Sequence, residues 1–259
     1  MINFSRFKKK DRVLVWAHRG ASGYAPENTL PAFEKAVELG ADGVELDVQF
    51  TKDGQIVVIH DEKINRTSNG KGYVKDQTLE ELRNFNFNKK FEECGFCKIP
   101  TLEEVYALLK PTNLTINVEF KTGMFFYELL IEKVLELTEK MGLSDRVFYS
   151  SFNHYSCMKV KELKSDAYVG FLYEDGIIDV VRYVKEHGGN ALHPSLYNIQ
   201  YPGVLKEAAM NGLDINAWTV NEKEPMELCC KWGINAMLTN FPDKARKISD
   251  KYAENILSD

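Results

Sequence analysis

Glu45 and Asp47 stand two residues apart in the run GVELDVQF, and Asn117, Glu119 and Lys121 alternate in the same way in INVEFKT. In a β-strand a spacing of two puts side chains on one face. Two carboxylates crowded on one face repel unless a cation or a proton joins them. An all-oxygen ligand set favours a hard ion such as Mg²⁺ or Ca²⁺. Glu119 offers a third carboxylate, with Lys121 beside it as a phosphate partner or charge balance. His18, Arg19 and Gly20 end the apolar run VLVWA, and His60 ends QIVVIH. A histidine can move a proton near neutral pH, an arginine can grip a phosphate or carboxylate with two parallel bonds, and a glycine permits close backbone approach.

Other polar positions carry weaker signals. His193 precedes Pro194 at a strand end, where it either lines a pocket or is a satisfied structural histidine. His154 and His187 fall in helical patterns and read as surface residues. Trp218, in AWTVN, either packs in the core or covers an apolar face of a ligand. Asn28 and Thr29 precede a helical pattern and are explained by helix capping. Cys94-Gly-Phe-Cys97 has zinc or redox spacing but lacks a second pair, and no role is assigned to it.

The elements that must position these residues recur regularly. Strand candidates are 13–17, 43–48, 114–120, 146–151, 167–172, 190–194, 214–220 and 235–240, and helical patterns separate most of them. In TLPAFEKAVELG, Leu30, Phe33, Ala36 and Val37 share a face and Gly40 stops the helix. FFYELLIEKVLELTEKMG reads as one long helix from Phe125, with Phe125, Phe126 and Tyr127 on one face of it rather than forming an apolar rim. Eight strands alternating with helices predict an α/β fold, a TIM (β/α)8 barrel over a single domain 1–259. A doubly wound sheet is disfavoured because no G-x-G-x-x-G follows the first strand. In a barrel, strand C-termini gather at one mouth, where sites form.

One segment breaks the alternation. Asp53-Gly54 predicts a two-residue hairpin after the second strand. Lys52 then faces Gln55, and Asp47 faces His60. Residues 61–100 form a small insertion, within which Thr78 and Glu81 have capping-box spacing.

The chain has 259 residues with 44% apolar and 27% charged residues, which allows a large core, and its net charge of −5 argues against nucleic acid as a partner. No apolar run reaches the roughly 18 residues of a membrane span. The basic start MINFSRFKKKDR has no long apolar stretch after it, and five cysteines do not form a disulfide scaffold, so a cytoplasmic setting is expected.

The ordered set AHRGASGYAPENT, GADGVELDVQFTKDGQIVVIHD, INRTSNGKGYVKDQTLEEL, IPTLEEV, VEFK, SSFN, AWTVN and LTNFPD resembles the bacterial, mostly single-domain glycerophosphodiester phosphodiesterases from about residue 13 to 245. The resemblance implies metal-dependent hydrolysis of glycerophosphodiesters to sn-glycerol 3-phosphate and an alcohol. It implies His18 and His60 as the general acid–base pair, and Glu45, Asp47 and Glu119 as ligands of one divalent cation, Mg²⁺ or Ca²⁺. Arg19 would contact the phosphate, Lys121 would sit near it, and Trp218 would border the substrate pocket. A lysophospholipase D-like enzyme and a non-catalytic glycerophosphodiester-binding protein are the alternatives. Intact His18 and His60 argue against the second.

Overall fold

Eight parallel strands close on themselves in the computed structural model, which describes residues 4–8 and 11–258. Part of the basic N-terminal stretch lies outside the described residues. The strands are β1 (Leu14–His18), β2 (Gly43–Phe50), β4 (Thr115–Phe120), β5 (Val147–Ser151), β6 (Val169–Tyr173), β7 (Ala191–Pro194), β8 (Asp214–Ala217) and β9 (Ala236–Thr239). β1 pairs with both β9 and β2, which closes the ring. β3 (Ile56–Val58) is the extra strand, antiparallel to β2. The helices are α1 (Leu30–Glu38), α2 (Leu79–Leu82), α3 (Leu102–Leu109), α4 (Leu130–Lys140), α5 (His154–Leu163), α6 (Val180–Glu186), α7 (Val204–Met210), α8 (Lys223–Trp232) and α9 (Pro242–Ser258). The architecture is the TIM barrel that the alternation predicts.

Period-two alternation sorts each strand between two environments. Val44, Leu46, Val48 and Phe50 of β2 join Ile116, Val118 and Phe120 of β4 in the large apolar layer under the helices. The intervening Glu45, Asp47, Gln49, Asn117 and Glu119 therefore face the barrel interior. At the N-terminal end that interior is filled by Phe7, Trp16, Phe148 and Tyr168, whose rings meet at 4.7–5.5 Å. The polar residues are left at the opposite, C-terminal end, where the βα loops emerge.

Two local expectations are corrected. The hairpin register is shifted by one: Val48 pairs with Val58 and Phe50 with Ile56, so Asp47 is opposite Ile59, not His60. Lys52, Asp53 and Gly54 make a three-residue loop, with Thr51 N–H donating to the Gln55 carbonyl and Gly54 in left-handed backbone at φ 71°. A glycine there carries no steric penalty, which favours the longer loop. The predicted helix at Phe125 begins only at Leu130. Phe125 instead packs edge-on against Tyr73 of the insertion, with ring centres 5.5 Å apart, and the Tyr127 hydroxyl donates to Gln49 Oε1 at 3.0 Å. Tertiary contacts override the helical period across 125–129.

The insertion has its own small core of Ile64, Val74, Leu82, Phe87 and Ile99, beside Val57 of β3 and Ile59. The Thr78–Glu81 capping box forms at the start of α2. Among the described residues, no helix is long and apolar enough to cross a membrane.

Candidate active site

Strand register brings the acidic residues together. His18 pairs with Glu45 across β1–β2, and Asp47 pairs with Glu119 across β2–β4. Paired residues of neighbouring strands are about 5 Å apart and point the same way. Glu45, Asp47 and Glu119 are 2%, 0% and 8% exposed, and each offers an oxygen within 4.8 Å of the others. Burying one carboxylate costs several kcal/mol in effective terms unless it is paired. Here three are buried together, with Arg19 and Lys121 as the nearest cations.

The charges are unevenly balanced. Asp47 is held down to about 2 despite its burial, by the charges of His60, Arg19 and Lys121 and by the amide of Asn28. Glu45 is pushed well above the ordinary carboxylate range, chiefly by burial and then by Asp47 and Glu119. Glu119 is raised by burial, against the pull of Lys121. Glu45 Oε1 and Asp47 Oδ1 are buried with no hydrogen-bond donor among the described residues. Orphaned carboxylate oxygens and an all-oxygen donor set fit a hard divalent cation. Glu45, Asp47 and Glu119 are the residues that would hold it.

Two imidazoles flank this cluster. His18 Nδ1 lies 2.8 Å from Asn240 Oδ1, and an amide oxygen only accepts, so Nδ1 carries the proton. Its Nε2 is then free to accept, 3.9 Å from Glu45 Oε2. Burial, and then the Arg19 charge, lower the His18 pKa to about 4. His60 Nδ1 lies 2.7 Å from Asp61 Oδ1 and donates to it, leaving Nε2 facing Lys121 Nζ at 3.2 Å. Lys121 also donates to Glu119 Oε1 at 2.9 Å.

His60 reaches the cluster despite the shifted register because β3 stops at Val58. The chain turns there, and the Gln49 side-chain amide donates to the carbonyls of Ile59, His60 and Asp61 at 2.9–3.1 Å. The sequence reading missed Gln49, although it continues the Glu45–Asp47 alternation by one more step.

Arg19 adopts left-handed backbone at φ 57° directly after β1. Its backbone N–H donates to Glu45 Oε2 at 2.9 Å, and its guanidinium donates to Glu27 at 2.9 Å and lies 3.5 Å from Asp47. Asn28 is corrected from helix cap to site residue: its amide donates to Asp47 Oδ2 at 2.8 Å. Thr29 makes no side-chain cap; its hydroxyl donates to the Pro26 carbonyl. Glu27 also accepts two bonds from Arg66 of the insertion, at 2.6 and 2.8 Å.

Trp218 stands just beyond β8, its indole donating to the His193 carbonyl at 2.8 Å and its ring edge-on to Phe152 at 5.3 Å. Phe152 lies 5.7 Å from Lys121 Nζ, so the indole borders the same mouth. His193 is fully buried below it, with Nε2 2.9 Å from the Asn216 amide, and does not line the opening. His154 is half-buried, bonded to the Leu172 carbonyl and the Tyr183 hydroxyl, and His187 bonds the Tyr183 carbonyl. Cys94 and Cys97 are free thiols raised by burial.

The profile of the glycerophosphoryl diester phosphodiesterase family matches residues 18–244. A glycerophosphodiester phosphodiesterase of Caldanaerobacter subterraneus subsp. tengcongensis is 42% identical over 90% of this chain and 96% of that protein. One from Bacillus altitudinis is 42% identical over 92% and 98%. A phosphodiesterase of Oleispira antarctica, solved with the product sn-glycerol-3-phosphate, superposes with a TM-score of 0.86 at 27% identity, covering 92% of this chain and 96% of that one. The chain, with a barrel mouth that gathers two imidazoles, three carboxylates, an arginine and a lysine, belongs to the glycerophosphoryl diester phosphodiesterase family.

Proposed function

We propose that the chain hydrolyses glycerophosphodiesters to sn-glycerol 3-phosphate and an alcohol, using one divalent cation, Mg²⁺ or Ca²⁺, held by Glu45, Asp47 and Glu119. The observation that carries this reading is a buried carboxylate triad of uneven charge with an imidazole Nε2 on each side, that of His18 3.9 Å from Glu45 and that of His60 3.2 Å from Lys121, which bonds Glu119. The cation, when bound, supplies Lewis-acid polarisation of a phosphoryl oxygen. The Arg19 guanidinium and Lys121 ammonium offset charge growing on the non-bridging oxygens in a site shielded from water. One imidazole accepts the proton of the attacking hydroxyl at Nε2, and the other delivers a proton from Nε2 to the leaving alkoxide. The attacking hydroxyl belongs to water or to the substrate's own glycerol through a cyclic phosphate. ³¹P spectra of single-turnover mixtures separate the two. Trp218 borders the substrate.

The test is His18→Ala and His60→Ala. Each abolishes turnover while the circular dichroism of the barrel is retained. A folded His60→Ala protein with a near wild-type rate contradicts the assignment.

A second reading, a lysophospholipase D-like enzyme, is favoured by one observation. Exposed Met124, Phe126, Phe152, Tyr155 and Tyr197 all follow the C-terminal ends of β4, β5 and β7, on the face where the mouth opens. Choline release from lysophosphatidylcholine at a higher kcat/KM than from glycerophosphocholine would select it.

A further inference from the structure

A cavity of about 200 Å³ opens beside His18 and Arg19, and its far wall is built by the insertion, from Arg66, Phe87, Lys89, Lys90 and Phe91. Among the described residues, the only carboxylate lining it is that of Glu27, and this is already shared between Arg19 at 2.9 Å and Arg66 at 2.6 Å. Lys89 Nζ donates to a neutral acceptor, the Asn65 carbonyl, at 2.9 Å. Lys90 has no hydrogen-bonded or ion-paired partner among the described residues, and no carboxylate lies within 4.0 Å of either ammonium. Glu92 and Glu93 follow in the chain but do not line the cavity. Its wall therefore carries an excess of positive charge. Lys90 also stands in left-handed backbone at φ 76°, where a glycine would be unstrained.

A phosphodiester substrate has two arms. The glyceryl arm is neutral, so it gains nothing from unneutralised ammonium groups. The alcohol arm is the one whose charge varies between substrates. We propose, resting on the hydrolase reading above, that this cavity receives the alcohol arm and selects one that bears a carboxylate, with Lys89 and Lys90 as specificity-determining residues. The preferred class is a glycerophosphodiester whose alcohol bears a carboxylate, ahead of choline or ethanolamine esters. Both lysines are exposed, so their contribution is modest and salt-sensitive.

Glycerophosphoserine and glycerophosphoethanolamine differ by one carboxylate, and their kcat/KM values on the metal-loaded full chain make the test. The wild type is expected to favour the serine ester by about fivefold at low salt, the scale of two exposed charge contacts, and to lose most of that preference at high salt. Lys90→Gly, and Lys89→Gln with Lys90→Gly, lower kcat/KM for the serine ester about as much, through KM, and leave that of the ethanolamine ester within twofold or raised. Lys90→Gly keeps or raises Tm, because it relieves the left-handed backbone, so a loss of preference is not a loss of fold. Turnover without a serine preference, or a preference that the double variant retains, overturns this inference alone. Turnover of neither ester overturns the hydrolase reading, and this inference with it.

Discussion

Asn240 Oδ1 lies 2.8 Å from Nδ1 of His18, joining the loop after the last strand to the end of the first. Closure of the barrel through β1–β9 makes this contact between residues 222 positions apart. It fixes the His18 tautomer and leaves Nε2 facing the carboxylates. Asn240→Ala is expected to lower kcat about 10- to 100-fold, the cost of a misaligned imidazole, with KM near wild type. Asn240→Asp keeps the acceptor, and its charge stabilises the imidazolium, so the limb of the pH–rate profile that His18 sets moves upward. A kcat unaffected by Asn240→Ala contradicts the orienting role.

Gln49 positions His60 through the backbone, while Asp61 bonds the His60 ring as Asn240 bonds that of His18. The Gln49 amide holds the three successive carbonyls of Ile59, His60 and Asp61. Gln49→Glu has nearly the same shape but no N–H donor, and it leaves buried carbonyls facing a carboxylate. The expected loss is about 1–3 kcal/mol of stability together with a fall in kcat of at least tenfold on the scale set by misplacement. Chemical denaturation and steady-state kinetics on one sample check both.

Glu45 is the carboxylate that the protein alone solvates worst, since burial and two like charges act on it together. Glu45→Gln is expected to raise the metal-free Tm, because it removes a buried carboxyl crowded by two others, and to reduce the Tm increase that Mg²⁺ or Ca²⁺ gives the wild type. Thermal melts with and without each ion read both effects. A wild-type Tm indifferent to both ions contradicts the metal site.

The sequence made the acidic face legible because one rule, the period of two, governs both side-chain direction and burial. Glu45, Asp47, Glu119 and Lys121 follow from it directly. His60 did not follow, since a single extra residue in the Lys52–Gly54 loop shifts the whole ladder. Asn28 and Asn240 were hidden for a different reason: their partners, Asp47 and His18, are 19 and 222 residues away. Phe125–Tyr127 misled because apolar periodicity cannot distinguish a helix face from aromatic residues docking on an insertion.

His193 gives a pH prediction remote from the proposed metal ligands. Burial lowers its pKa to about 3, against an unfolded value near 6.5. The unfolded chain therefore binds a proton that the folded chain refuses. The associated stability is fully present above pH 6.5 and is lost as the pH falls toward 3, at about 1.4 kcal/mol per pH unit. His193→Gln is expected to flatten that slope between pH 6 and pH 4 in urea titrations, whatever its effect on stability at pH 7.

The central claim is tested most directly by sn-glycerol 3-phosphate release from glycerophosphocholine and glycerophosphoethanolamine, measured with Mg²⁺, with Ca²⁺ and with excess chelator. The account predicts release that requires a divalent ion and stops on chelation. No release from either ester by a folded, metal-loaded protein, or release undiminished by chelator, would contradict it.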